Sequence, residues 1–372
     1  MPIQTCTVAV VGATGAVGRE ALKILQQRGV PGERVIALAS ERSAGASVEY
    51  GPSRLSIVAL DDRSAERTFQ LADVAIFCAD ADTARTFVPI AVERGALVVD
   101  NSSAFRMDPT VPLVVPEVNG ALLDVGAEVV ANPNCSTILL LVALEPLRRR
   151  FGVRSIVVST YQAVSGAGLA AIDELRMQAG DALAGRTATK RVFAEPCAFN
   201  VFSHDSAVDL RTGLNAEEQK LIDETRKIWD DPRLAITPTC IRVPVERAHS
   251  ESVVIELREP AHEDEIRLAL ASATGVSIID DRAANAFPTP LKASGVDDVL
   301  VGRIRPDPGA GFDGRGRSTR WCLWLSGDQL RKGAALNAVQ IAEALLAPAS
   351  SLAPGTRAPS RVQRWHTGAI IT

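Results

Sequence analysis

The run Thr7-Val8-Ala9-Val10-Val11, leading without a break into Gly12-Ala13-Thr14-Gly15-Ala16-Val17-Gly18, limits the possible folds of this chain more than any other stretch. A continuous β-branched run is the pattern of a strand buried on both faces of a parallel sheet. The segment after the glycines places Val17, Ala21, Ile24 and Leu25 on one face, and Gly29 with Pro31 stops it. Strand, glycine turn and helix in that order form the phosphate-cradling start of a dinucleotide-binding unit, with backbone N–H groups facing the pyrophosphate. A glycine triplet alone marks only a turn; in this context it favours cofactor binding through Gly12, Thr14, Gly15, Ala16 and Val17.

The alternation continues. Val35-Ile36-Ala37-Leu38-Ala39, Val74-Ala75-Ile76-Phe77-Cys78-Ala79, Ala96-Leu97-Val98-Val99 and Glu128-Val129-Val130 read as further strands, with a helix over 82–94. Strands and helices at this spacing predict an α/β chain that opens with a doubly wound, Rossmann-like parallel sheet, whose ligands bind at the carboxyl ends of the strands. The second strand runs into Ser40-Glu41-Arg42-Ser43-Ala44-Gly45. Arg42 and Ser43 suit the extra 2′-phosphate of NADP and favour it over NAD, whereas Glu41 suits a free ribose if Arg42 points to solvent. From 155 onward the strands lengthen and alternate, which predicts a second domain of α+β type: strands over 155–161, 236–245, 251–257, 299–304 and 321–325, helices over 168–178 and 216–229. An amphipathic helix over 330–346 is expected to return to the first domain. The predicted division is 1–133 plus 328–347 against 134–327, with a mobile loop over 306–319 and a disordered tail over 348–372.

Cys135 follows a strand end in Ala131-Asn132-Pro133-Asn134-Cys135-Ser136-Thr137 and enters the first turn of an apolar helix. Unpaired N–H groups and the positive end of the helix dipole favour thiolate there, the setting of a nucleophile; the other reading is a cysteine that merely packs. Arg106 ends the polar loop Asp100-Asn101-Ser102-Ser103-Ala104-Phe105-Arg106, at an active edge where an anion clamp fits better than a surface charge. The small residues of Gln162-Ala163-Val164-Ser165-Gly166-Ala167-Gly168 allow close backbone approach to a ligand. Arg242 and His249 flank a turn, and His249 reads either as hydrogen-bonded structure or as a catalytic base beside a reactive cysteine. A net charge of −4 over 372 residues points to neither nucleic acid nor an acidic membrane, and no apolar run reaches a bilayer's width. Six scattered cysteines without a CxxC pair suggest no disulfide framework and no metal site, so a cytoplasmic protein is expected.

Taken in order, GATGAVG, SERSAG, DNSSAFR, VPEVN, NPNCST, TYQAVSGAG, EEQK, RVPV with HSE, and LRKGAALNAVQIAE resemble the aspartate-semialdehyde dehydrogenase family from Val8 to Leu346. The resemblance implies NADP-dependent reduction of β-aspartyl phosphate to the semialdehyde through a Cys135 thioester. It implies Gln162 as the group orienting the substrate or its thioester and His249 as general acid/base. Arg242 would hold the α-carboxylate, Arg106 and Lys220 the phosphate, with Glu217 near the amine; Asn134 is a further substrate-binding candidate. Thr14 to Val17, Arg42, Ser43, Ser165, Gly166 and Gln329 would contact NADP, and the 134–327 unit would be catalytic and dimerising, in a homodimer. Two departures stand out: Ala248 replaces a usual glycine, and the segment after Phe199-Asn200 lacks the usual proline-histidine-isoleucine-aspartate element, leaving His204 either to replace its histidine or to face solvent. The competing readings are a reductase of another acyl phosphate such as N-acetyl-glutamyl phosphate, and a catalytically silent nucleotide-binding homologue.

Overall fold

In the computed structural model, which describes residues 1–347, the strands gather into two seven-stranded sheets. The first contains β1 (Val8–Val11), β2 (Val35–Ala39), β3 (Ser47–Tyr50), β4 (Ser53–Ala59), β5 (Val74–Phe77), β6 (Leu97–Asp100) and β7 (Val129–Ala131), in the order β3-β4-β2-β1-β5-β6-β7. Its pairings are parallel except for the β3–β4 hairpin. Every residue of β1 and β5 is buried, as their uninterrupted apolar runs require. The strand order reverses on either side of β1, which opens a crevice at the carboxyl ends of β1 and β5. Helices α1 (Ala16–Gln27), α2 (Asp62–Leu71) and α3 (Ala81–Glu93) belong to this part, with the short α4 (Pro116–Asn119) after it.

The second sheet is mixed: β8 (Val153–Gln162), β9 (Phe202–Ser203), β10 (Ala235–Arg242), β11 (His249–Ala261), β12 (Val276–Ile278), β13 (Val299–Pro306) and β14 (Ser318–Gly327), in the order β12-β13-β14-β11-β8-β10-β9. With it run α5 (Cys135–Phe151), α6 (Leu169–Leu183), α7 (Ala216–Trp229), α8 (Glu263–Ala271) and α9 (Pro290–Ala293). Every residue of α5 from Ser136 to Glu145 is buried. A helix apolar all round belongs to the interior, and α5 shares one core with Val11 and Phe77 of the first sheet and Val158, Val253 and Leu323 of the second. The nucleophile candidate therefore begins the helix that both sheets share.

The segment after β14 is not the single α-helix its periodicity predicts. A π turn over Arg331–Ala335 precedes α10 (Leu336–Leu346), whose Leu336, Val339 and Ile341 enter the core of Val8, Val10 and Leu25. The turn is pinned by Asp328, which accepts from the N–H groups of Leu330 and Arg331, and by Lys332, which donates to Glu117, Asn337 and Gln340. Its wider winding presses Gly333 onto the thiol helix: a Cβ there would lie 3.0 Å from Cys135 Cβ. Among the described residues no helix is long and apolar enough to cross a membrane. The tail expected over 348–372 lies outside the described residues.

Candidate active site

Strand register assembles the site. Arg242 pairs with Gln162, and because Ser250 pairs with Tyr161, His249 comes beside Gln162 on the next strand. Arg242, Gln162 and His249 are thus neighbours along one buried edge of the sheet. On the far side His249 pairs with Gly327, where a Cβ would lie 2.5 Å from Leu139 of α5. Glycine there lets the first turns of α5 press onto the strand that begins with the imidazole.

At the mouth of α5, Asn134 is the N-cap, its Oδ1 accepting from the N–H of Ser136 (3.0 Å) and Thr137 (3.3 Å). Asn134 Nδ2 donates to Glu217 (2.8 Å), and Gln162 Nε2 donates to Ser136 Oγ (3.1 Å) and Glu217 (3.2 Å). Lys220 Nζ reaches Glu217 at 3.2 Å, and Arg242 Nε donates to Asp205 at 2.7 Å. His249 is wholly buried, and its Nδ1 accepts from the backbone N–H of Ala163 at 3.0 Å. That bond puts the neutral ring's proton on Nε2, which is buried without a partner among the described residues. A Cβ on Gly166 would lie 3.1 Å from Arg242 Nη1 and 3.4 Å from His249 Nε2, so glycine lets the loop backbone lie close to both groups without crowding them. Arg106 Nε is a second buried donor without a partner among the described residues.

Electrostatics correct one expectation. Burial pushes the Cys135 thiol up to about 12, Glu217 adds to the rise, and Arg242, Arg106 and the Ser136 N–H offset it only in part. The helix N-terminus does not make a resting thiolate here, because burial and an adjacent carboxylate outweigh it. Burial and Arg242 bring His249 down to about 3. Burial alone would raise Glu217, but Lys220, His204 and the bonds from Asn134 and Gln162 outweigh it and bring the carboxyl to about 2.

Unfolded, His249 takes up a proton near 6.5, whereas folded it does so only near 3. Its contribution to stability is full above 6.5 and is lost as pH falls through that window; Glu217 behaves likewise between 4.5 and about 2. Urea unfolding between pH 6.5 and 5 should show stability falling by up to about 1.4 kcal/mol per pH unit from His249, a slope that His249→Asn flattens. An unchanged slope would contradict the buried neutral imidazole.

At the crevice of the first sheet, Gly12 has φ of 81° and a Cβ on it would lie 2.5 Å from the Cys78 carbonyl oxygen, while a Cβ on Gly18 would overlap Gly12 O. Gly15 caps α1 without a side-chain acceptor, leaving the first-turn N–H groups without a side chain to receive them, and Thr14, Ala16 and Val17 sit partly exposed beside it. Arg42 is exposed and Ser43 half-buried in a short turn past β2. Ser165 and Gln329 are instead buried and bonded to each other, and Gln329 Oε1 also accepts from the Ala248 N–H at 2.8 Å. A chain of contacts joins crevice and thiol: Asn101 Nδ2 donates to Phe77 O (2.7 Å), Arg106 Nη2 to Asn101 O (2.7 Å), and Arg106 Nη1 to Glu224, which also accepts from Asn134 N–H.

Sequence reasoning missed Glu224, Asp205 and Gly333. Glu224 was legible, since it sits seven residues beyond Glu217 on the same stripe of α7. Asp205 lies in the segment that departs from the expected motif, and Gly333 becomes visible only through the π turn.

Comparison with known proteins adds a second line. Family models for the semialdehyde dehydrogenase NAD binding domain and dimerisation domain match residues 7–125 and 144–332. An aspartate-semialdehyde dehydrogenase of Synechocystis is 45% identical over 91% of this chain and 97% of its own length. The chain belongs to the aspartate-semialdehyde dehydrogenase family. A Bacillus subtilis member is 42% identical over 91% of this chain and 96% of its own length. The crystal structure of the Vibrio cholerae aspartate semialdehyde dehydrogenase II complexed with ASA superposes with a TM-score of 0.85 at 39% identity, covering 92% of this chain and 98% of that one.

Within the aspartate-semialdehyde dehydrogenase family pattern, the alanine before the histidine keeps a glycine-like backbone. Ala248 has φ of 72°, which costs an L-residue about 1–2 kcal/mol. Its methyl is fully buried against Ala293 and Leu300, returning about 0.8 kcal/mol. His249 keeps its register despite the substitution. His204 turns inward, 9% exposed, with Nδ1 bonded to Ser206.

Proposed function

We propose that this chain catalyses the NADPH-dependent reductive dephosphorylation of β-aspartyl phosphate to aspartate semialdehyde, and the reverse phosphorylating oxidation, through a thioester on Cys135. The observation that carries the reading is a largely buried thiol at the mouth of α5, in a site whose buried His249 Nε2–H and Arg106 Nε–H have no partner among the described residues. Buried donors left over by the protein are suited to ligand oxygens. The family membership and the relative crystallised with ASA support the substrate.

Cys135 Sγ attacks the acyl carbon and phosphate departs with the thiol proton. Covalent capture divides a difficult reduction into two easier steps. Arg242 pairs with the α-carboxylate, displacing Asp205, and Glu217, held ionised, takes the amine. Arg106 and Lys220 receive the phosphate, while Gln162 and Asn134 fix the acyl group against the helix mouth. His249 acts at the acyl oxygen: Ala163 N–H opposes a proton on Nδ1, so the ring donates from Nε2 to the oxyanion and to the hemithioacetal oxygen. The glycine cradle and uncapped α1 fit a dinucleotide pyrophosphate. Gly12, Thr14, Gly15, Ala16 and Val17 would hold it, with Arg42 and Ser43 at the 2′-phosphate and Ser165, Gly166 and Gln329 toward the nicotinamide. When bound, that nucleotide supplies the hydride.

A homodimer belongs to this reading. The dimerisation-domain match covers the second sheet, one face of which exposes Val157 and carries the tilted Tyr161–Trp324 ring pair.

Two measurements test it. Turnover with aspartate semialdehyde, phosphate and NADP should far exceed turnover with N-acetylglutamate semialdehyde; activity only on the latter, or on neither, would overturn the substrate assignment. Arg42→Ala should raise the KM for NADP about tenfold and leave that for NAD unmoved. Equal effects on both nucleotides would remove Arg42 from the 2′-phosphate.

A further inference from the structure

On α7, Glu217, Lys220, Glu224 and Lys227 follow one another at helical spacing and form one stripe. The first two belong to the site already described; the last two have no assigned role. Glu224 is buried, and its two oxygens serve different parts of the molecule. Oε1 accepts from Arg106 Nη1 at 3.0 Å, and Oε2 accepts from the backbone N–H of Asn134, the residue before the nucleophile, at 2.6 Å. One turn on, Lys227 Nζ donates to the carbonyl oxygens of Arg106 (2.7 Å), Asp108 (2.6 Å) and Val111 (2.9 Å). Arg106 Nη2 is spent on Asn101 O, so of the guanidinium's nitrogens it is Nε that stays buried and unpartnered. A loop of the first sheet is thus clamped by a helix of the second, and the clamp decides where the unspent donor points.

We propose that Glu224 is a positioning residue that holds the anion-binding Arg106 and the Cys135 turn in one frame, with Lys227 fastening the loop behind them. The part concerning phosphate rests on the reading of Arg106 given above. Glutamine cannot replace Glu224: Arg106 and Asn134 both present donors, and a carboxamide offers one acceptor oxygen and one donor nitrogen. One of the two bonds must fail.

The test compares Glu224→Gln, Lys227→Gln and Arg106→Lys with the parent enzyme. It reads KM for phosphate, KM for semialdehyde, kcat, thermal stability and the rate of Cys135 alkylation by iodoacetamide. Glu224→Gln should raise the phosphate KM about tenfold and change the alkylation rate at least about threefold, with the semialdehyde KM nearly unmoved. Lys227→Gln, which touches no part of the Cys135 turn, should reproduce the phosphate effect alone. If Glu224→Gln leaves both quantities within about twofold, or lowers only stability and kcat, the residue is merely structural and the proposal is overturned. Should Arg106→Lys leave the phosphate KM unchanged, it is the reading of Arg106 that fails. Alkylation of Glu224→Gln then decides for Glu224, a changed rate supporting its hold on the nucleophile and an unchanged one overturning it. If Glu224→Gln does not fold, Glu224→Asp, keeping two acceptors on a shorter stem, carries the same measurements with a smaller expected rise.

Discussion

Cys135→Ala is expected to abolish phosphate-dependent NADP reduction, by about 10⁴-fold or more, while nucleotide binding survives. In the proposed mechanism the sulfur is the atom to which the acyl group is transferred, and none of the other five cysteines stands at the mouth of α5. The glycine cradle belongs to the first sheet and makes no use of this side chain, so nucleotide affinity measured by fluorescence quenching should stay at the parent value. Alanine is compatible with the first helical position, where the cap is made by Asn134, so unfolding stability should move by about 0.5 kcal/mol or less. Residual turnover near the parent rate would remove the thioester from the pathway. Lost nucleotide affinity would mean that the thiol region also forms the nucleotide site.

His249→Asn should lower kcat about 10²- to 10³-fold with little change in the KM for semialdehyde. Asparagine is chosen because its Oδ1 can take the place of Nδ1 as acceptor of the Ala163 N–H, so the buried backbone stays paired. Nothing in the variant reaches the position of Nε2, whose proton has no partner among the described residues. Donors aimed at developing negative charge act in the transition state rather than the ground state, which is why the loss should fall on kcat. An effect confined to KM would make His249 a substrate anchor instead.

How much of this was legible in the sequence depended on whether a feature was local. The buried runs of β1 and β5, the glycine turn and α7, whose 216–229 boundaries match Ala216–Trp229, are set by periodicity and capping within a few residues. The β3–β4 hairpin escaped because Ser47, Glu49, Arg54 and Ser56 turn one face to solvent and break up the apolar pattern over most of its length. The helix expected over 168–178 continues to Leu183, and the strand expected over 321–325 begins at Ser318 because its pairing with β11 extends it. In the site, Cys135, Gln162, Arg242 and His249 were recognisable by residue type and motif, but their meeting on one sheet edge is a matter of strand register between distant segments. The state of the thiol was misjudged for the same reason. The helix N-terminus is visible in the sequence, whereas the burial and the Glu217 carboxylate that outweigh it come from packing.

The proposed carrier of the acyl group is Cys135 Sγ. Enzyme mixed with aspartate semialdehyde and NADP in the absence of phosphate, quenched in acid and analysed by peptide mass spectrometry, should carry an aspartyl adduct on the peptide containing Cys135. Added phosphate should discharge it. Finding the adduct on another cysteine, or finding none while the nucleotide is still reduced in the first turnover, would rule out Cys135 as the acyl carrier.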